Sequence, residues 1–345
     1  MSAQVDRPSN EDAQILEVAR LFHAKVASSA EKGDVFRRDA HPKHHGCVKA
    51  WFEVGADVPA ALKHGVFAEP RIFAAWIRLS NGSPEVKSDA ARDQRGFAIK
   101  VMGVPGEKIL AEEPHTQDFV LSSAPRFFIR NVADYVVLTR YAVKAPPPIR
   151  ILPFFFSWNP FAWRLHEFKA LQSGLKKTTN LLATRYWSQT PYRLGPHIVK
   201  YSAIPASPDP GFAPSRSPDF LRERLAAQLR AGEATFDFAV QVQTDPDAMP
   251  TDDATIEWPE ASAPFQKVAT IRIPRQEFQS PEQMGLAEHI AMTPWHALPA
   301  HEPLGPMNRT RRVVYEMVSA LRRRLNGVPP FEPASHDDLG DFSRR

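Results

Sequence analysis

The chain has a single cysteine, Cys47, among 345 residues. That excludes an internal disulfide and any zinc or iron–sulfur site built from several thiolates. No run of 18 or more apolar residues occurs, so no transmembrane helix is expected. The N-terminus, Met-Ser-Ala-Gln-Val-Asp-Arg-Pro, lacks the apolar core of a signal peptide, and a cytoplasmic protein is the expectation. A Gly-rich phosphate loop and internal repeats are also missing. Lys and Arg are scattered rather than massed, so the net charge of +4 and pI near 9.1 do not point to nucleic acid. Mild basicity suits acidic ligands such as carboxylates.

What is present begins near the C-terminus. Asn308 to Arg322 contains no Gly or Pro, and Val314, Met317, Val318, Leu321 and Leu325 recur at three- and four-residue steps. That spacing predicts a helix with a buried stripe. Arg311, Tyr315 and Arg322 fall at −4, 0 and +7 and share one face. A guanidinium one turn from a phenol favours the phenolate, which can bind ferric haem iron. The same helix could equally carry an ordinary half-buried tyrosine beside solvated arginines.

Further signals run along the chain. Glu11–Glu31, Asn131–Val143, His166–Leu182 and Pro218–Ala231 read as helices. Short β-branched and aromatic runs at Cys47–Val54, Arg71–Leu79, Gly96–Met102, Asp118–Leu121, His197–Ala203, Thr235–Thr244 and Val268–Ile273 read as strands. Strands not regularly interleaved with helices predict an α+β fold, an antiparallel sheet or barrel with helices to one side. The chain is expected to be one domain over 1–345, with a helical arm over 1–35. An irregular wrapping segment spans 145–190, and an extended or mobile tail spans 327–345. The segment from Ala145 to Trp163 mixes prolines with aromatics. It could wrap a neighbour, cover an apolar pocket or touch a membrane surface; packing is the preferred reading.

Three segments carry chemistry. Arg38-Asp-Ala-His41-Pro-Lys43-His-His-Gly46 precedes Phe52-Glu-Val54. Its histidines could bind zinc, act as a general acid/base, or be solvated loop residues. Arg78-Leu-Ser-Asn-Gly82 and Arg92-Asp-Gln-Arg95-Gly-Phe-Ala-Ile-Lys100 could pair with a carboxylate or form surface salt bridges. Ser122-Ser-Ala-Pro-Arg-Phe127-Phe-Ile-Arg-Asn131 leads into Tyr135.

Taken in order with Arg311-x-x-x-Tyr315, these resemble the catalase superfamily. They depart by Pro42 for Ala, Leu79 for Phe and Asn131 for Asp. Thr190-Pro-Tyr-Arg-Leu-Gly195 and Val199-Lys-Tyr201 are similar to a small haem-peroxidase branch that lacks the C-terminal flavodoxin-like domain. The resemblance implies a β-barrel core with haem b buried between barrel and C-terminal helix. It implies Tyr315 as iron ligand, Arg311 as its charge partner and His41 as distal acid/base. Arg38, Arg78 and Arg322 would meet the propionates, Phe127 would lie against the haem, and Tyr135 would be a pocket aromatic. Catalases place an asparagine just before the Pro-x-Phe-Phe motif; here Ser122 and Ser123 stand there, so weaker turnover of hydrogen peroxide is expected. The implied function is reduction of hydrogen peroxide or organic hydroperoxides through a ferryl state, with an unknown organic reductant and a homo-oligomeric assembly. The alternative is a fatty-acid hydroperoxide isomerase or lyase on the same fold; a non-catalytic haem- or lipid-binding module is a third reading.

Overall fold

Side chains alternate with period two along most strands of this chain, and that alternation decides which face is the core. A computed structural model describes residues 7–28, 36–110, 115–144, 151–213, 215–340 and 342. The strands are β1 (His44–Val54), β2 (Arg71–Asn81), β3 (Arg95–Met102) and β4 (Thr116–Ser122), then β5 (Tyr186–Trp187), β6 (Tyr192–Leu194), β7 (His197–Pro205), β8 (Ala234–Val242) and β9 (Gln266–Ile273). All pairings are antiparallel. The order runs β5-β4-β3-β2-β1-β9-β8-β7-β6, and β5 also pairs with β7, which closes an eight-stranded barrel with β6 appended. Closure removes the exposed edges of an open sheet.

One side chain in two points inward. Val48, Ala50 and Phe52 on β1 meet Ala75, Ile77 and Leu79 on β2, with Phe97, Phe119, Tyr201, Phe236 and Phe238 filling the middle. Phe119 lies 4.8 Å from Phe238 and 5.1 Å from Tyr201, centroid to centroid. Truncating such a ring costs about 3–5 kcal/mol. The opposite side chains, including Trp76, Arg78, Ser80 and Lys100, face outward beneath the helices.

The helices are α1 (Glu11–Ser28), α2 (Val132–Lys144), α3 (Leu152–Phe155), α4 (Leu165–Gly174), α5 (Phe220–Ala231), α6 (Pro281–His289) and α7 (Gly305–Asn326). α7 stops at Gly327, which is left-handed (φ 65°) and donates to the carbonyls of Arg323 and Arg324. α1 packs along α7 and α2, joined by Val18, Ala19, Val136 and Val314. No helix among the described residues is long and apolar enough to cross a membrane.

The fold corrects several expectations. The helix expected over 166–182 ends at Gly174, where the chain turns toward a bridge between Lys176 and Asp93. α6 was not anticipated, although Ser280 caps it by accepting from the Gln283 N–H. The tail is extended but docked: Ser335 accepts from Trp76, His336 meets the Ala75 carbonyl, and Phe331 and Leu339 pack near Trp76. His44 and His45 are not solvated loop residues; both are buried on β1. Parts of the expected arm (1–6, 29–35), wrapping segment (145–150) and tail (341, 343–345) lie outside the described residues.

Candidate active site

Strand register builds one wall. Ser80 on β2 pairs with Gly96 on β3, and Gly96 pairs with Ser122 on β4, so the three form a row across the barrel's outer face. His41 lies over this row, its Nδ1 3.0 Å from Ser80 Oγ. A Cβ at position 96 would sit 2.6 Å from Ser80 Oγ and 2.7 Å from His41 Nδ1, so only glycine leaves space for the imidazole. His41 itself adopts a left-handed backbone (φ 59°), and Arg78 Nη2 donates to its carbonyl at 3.0 Å. A non-glycine residue in that region stores strain that its surroundings must hold. Burial, reinforced by Arg78, Arg311 and Arg38, pulls the His41 pKa down to about 4, so the ring is neutral at pH 7.

Three arginines converge from distant parts of the chain on the C-terminal end of α6. Arg78 Nε donates to the Ala287 carbonyl at 2.7 Å, Arg38 Nη1 to the Glu288 carbonyl at 2.7 Å and Arg322 Nη2 to the same carbonyl at 3.0 Å. Arg38 also donates to the Ile290 carbonyl. The helix end suits cations. Glu288 pairs with Arg322 at 3.0 Å and is the carboxylate that acts on all three guanidiniums. Burial lowers the proton affinity of each, that of Arg322 to about 9. Three guanidiniums against one carboxylate, with Arg78 and Arg322 buried and Arg38 half-buried, leave surplus positive charge away from water, which favours an anionic ligand.

The opposite wall is α7. Tyr315 is half-buried among Phe22, Tyr135, Val313 and Val318, and no described residue hydrogen-bonds its hydroxyl. One turn earlier, Arg311 Nη1 donates to Thr190 Oγ1 at 3.1 Å, and its guanidinium lies 5.8 Å from the Phe127 ring. Phe127 and Tyr135 meet edge to face at 6.3 Å. Burial, with Tyr315 and Asp39 nearby, pushes the Tyr135 phenol up, so it stays protonated. Arg38 and Arg311 both act on His41, while Tyr315 acts on Arg38 and Tyr135. The two walls therefore share one electrostatic enclosure.

The serines are already engaged. Ser122 Oγ donates to Gln94 Oε1 at 2.9 Å, and Ser123 Oγ accepts from the Arg95 N–H at 2.8 Å. Gln94 was not anticipated, nor was Gln189, whose Nε2 reaches the same Gln94 oxygen at 3.4 Å. No local pattern marks either glutamine. Arg95 does not form a surface salt bridge: it is fully buried against Asn81 and the Asp89 and Ala91 carbonyls. His45 Nε2 meets the same Asn81 at 2.8 Å, and Lys43 pairs with Asp89 at 2.8 Å. This polar network ties the start of β1, three residues after His41, to the end of β2 that carries Ser80. Among the described residues no group of three His, Cys, Asp or Glu could hold a metal ion, so the zinc reading finds no support in the geometry. Arg92 is exposed.

An eight-stranded antiparallel barrel, flanked by helices and facing a tyrosine-bearing helix across a half-buried histidine, defines the class: the chain has the catalase fold. It superposes on a fungal catalase with a TM-score of 0.66 at 18% identity, covering 86% of this chain and 61% of that one. Catalase A from Saccharomyces cerevisiae gives 0.64 at 20% identity, covering 87% and 63%. A bacterial catalase gives 0.66 at 18%, covering 87% and 59%. The chain thus spans about three fifths of the length of these solved catalases. More particularly, it is 26% identical over 261 residues to a catalase-related peroxidase of Mycolicibacterium paratuberculosis, covering 72% of this chain and 77% of the relative. No protein-family profile matches the chain.

The fold family implies haem, and the residues here fit it. Surplus guanidinium charge calls for a ligand bearing carboxylates, the Tyr315 hydroxyl has no hydrogen-bond partner among the described residues, and Phe22 and Tyr135 pack in the same cluster as its ring.

Proposed function

We propose that this protein is a haem-dependent peroxidase of catalase type, reducing hydrogen peroxide or organic hydroperoxides. Tyr315 would hold the iron through its phenolate oxygen, with Arg311 one turn earlier on the same helix. Arg38, Arg78 and Arg322 would take the two propionates, and Phe127 and Tyr135 would line the haem edge. Haem, when bound, supplies the ferric centre on which peroxide is activated. The remaining work belongs to His41. With its Nδ1 proton directed to Ser80 Oγ, Nε2 takes a proton from one peroxide oxygen and delivers it to the other, so water or an alcohol leaves instead of an alkoxide. Ser122 and Ser123, engaged with Gln94 and the Arg95 N–H, offer weak purchase on a second hydrogen peroxide molecule. An organic reductant therefore becomes the natural electron source.

The observation that carries this reading is the neutral imidazole of His41, held by Ser80 over Gly96, where a Cβ would collide with both. The test is an absorption spectrum of the purified protein, followed by peroxide consumption with and without a phenolic donor, alongside Tyr315→Phe. The expected result is a high-spin ferric spectrum disturbed in the variant, slow oxygen release and faster donor-dependent turnover. Protein that cannot be loaded with haem would sink the proposal. Donor-independent rearrangement of a fatty-acid hydroperoxide would instead identify an isomerase or lyase.

A further inference from the structure

The segment between α2 and β5 is divided. Its inner rings are core: Phe154 and Phe155 are buried, and Phe155 meets Phe168 edge to face and Phe128 at a tilt. Its outer rings are bare: Trp158 is 97% exposed and Phe161 100%, flanked by exposed Leu152, Trp163 and Leu165. Full exposure of two large aromatics on one short tip is uncommon and marks a contact surface.

The tip hides its own polar groups. Asn159 Oδ1 accepts from the Phe161 N–H at 3.1 Å, the Asn159 carbonyl accepts from Ala162 at 3.1 Å, and Pro160 has no N–H to satisfy. The Trp163 indole donates to the Ser157 carbonyl at 2.8 Å. Arg164 locks the base, donating to the Phe154 carbonyl at 3.1 Å and to Asp134 at 2.7 Å. With the Phe161, Ala162 and Trp163 N–H groups paired internally, the turn strands fewer donors in an apolar medium.

Charge selects the partner. Residues 135–182 hold seven of the chain's 43 Lys and Arg but one of its 39 Asp and Glu, so the remainder of the chain is net negative. That one acid, Glu167, is buried and paired with Arg130 at 2.9 Å. Lys169 is exposed four residues after Leu165 on α4, on the same face, and exposed Lys176 and Lys177 follow the helix. Exposed tryptophan and phenylalanine followed along the chain by exposed lysines suit the interface of an anionic bilayer. A symmetric contact with a second copy would oppose this basic stretch to itself.

We propose that the 151–165 tip docks the protein on an anionic lipid surface, inserting Trp158 and Phe161 while the exposed lysines on and after α4 meet headgroup phosphates. The full-length, haem-loaded protein would be sedimented with vesicles of phosphatidylcholine alone or mixed with phosphatidylglycerol. Trp158→Ser/Phe161→Ser and Lys169→Glu/Lys176→Glu/Lys177→Glu would be compared, with circular dichroism confirming that each folds. The expected result is binding to the mixed vesicles at least tenfold tighter than to phosphatidylcholine, weakened by salt and reduced at least tenfold in both variants. Absence of binding, equal binding to both vesicles, or unchanged binding by the aromatic variant overturns it. So does a shift of the aromatic variant to a smaller oligomer, which would make the tip a contact between copies.

Discussion

The two walls of the candidate site are held in different ways. On the barrel side, His41 is fixed by Ser80, by the Arg78 bond to its carbonyl, and by the absence of a side chain at Gly96. Each partner is placed by antiparallel register. On the α7 side, Tyr315 is half-buried in helix packing, and no described residue hydrogen-bonds its hydroxyl. The imidazole proposed to handle protons is fixed by protein contacts alone, whereas the hydroxyl proposed to bind the iron has no hydrogen-bond partner among the described residues. A bound group would complete the second wall without rebuilding the first.

The largest test of this contrast is His41→Ala. Turnover should fall by about 10²–10⁴-fold, the usual worth of a positioned acid/base, while the haem spectrum stays close to that of the parent. Loss of haem together with activity would show that the barrel wall is not independent of the ligand. Gly96→Ala comes next: the new methyl drives His41 off Ser80, costing about 1–3 kcal/mol of stability on overpacking alone and much of the activity. Gly232→Ala is its control, since nothing lies within 4 Å of a Cβ there and its backbone is extended (φ −170°). Denaturant melts of the two variants make the comparison, and equal loss in both would mean that the tight space at position 96 is unimportant. Ser80→Ala should be milder, about tenfold in kcat with KM little changed, because the imidazole keeps its place but loses its orienting bond.

The smallest effect is in pH dependence. Because burial and neighbouring guanidiniums depress the His41 pKa from 6.5 to about 4, the base stays neutral well below pH 6.5. The acid limb of kcat/KM should therefore fall near pH 4. A limb near 6.5 would mean that the imidazole sees solvent. Stability should behave in the same sense: buried His45 (about 4) and His301 (about 3) bind fewer protons folded than unfolded below pH 6.5, so stability is full above that value and declines toward pH 4. Thermal melts from pH 7 to 4 check the direction.

Much of the fold was legible locally. β1, β2, β3 and β7 lie within a few residues of where their alternating patterns put them, and α7 ends at Gly327 as its glycine signals. The strands β5 and β6 were missed because two or three residues carry no period. His44 and His45 were misjudged because histidine is ambivalent about burial, and only the Asn81 contact decides for His45. The tail was left open between extended and mobile, since its docking rests on Trp76 and Ala75, some 260 residues away in sequence.

By itself, the amino-acid order determined periods and spacings: which residues alternate along the strands, and that Arg311 stands one turn before Tyr315. Such features depend on neighbours in the chain, where backbone geometry is the same in every protein. Tertiary structure alone decided that Arg38, Arg78 and Arg322 meet at the end of α6, and that Ser80, Gly96 and Ser122 form one row beneath His41. It also decided that Trp158 and Phe161 face outward while Phe154 and Phe155 turn in. Those outcomes rest on register and packing between segments far apart in sequence, where moving one strand by a single residue would turn its side chains to the opposite face.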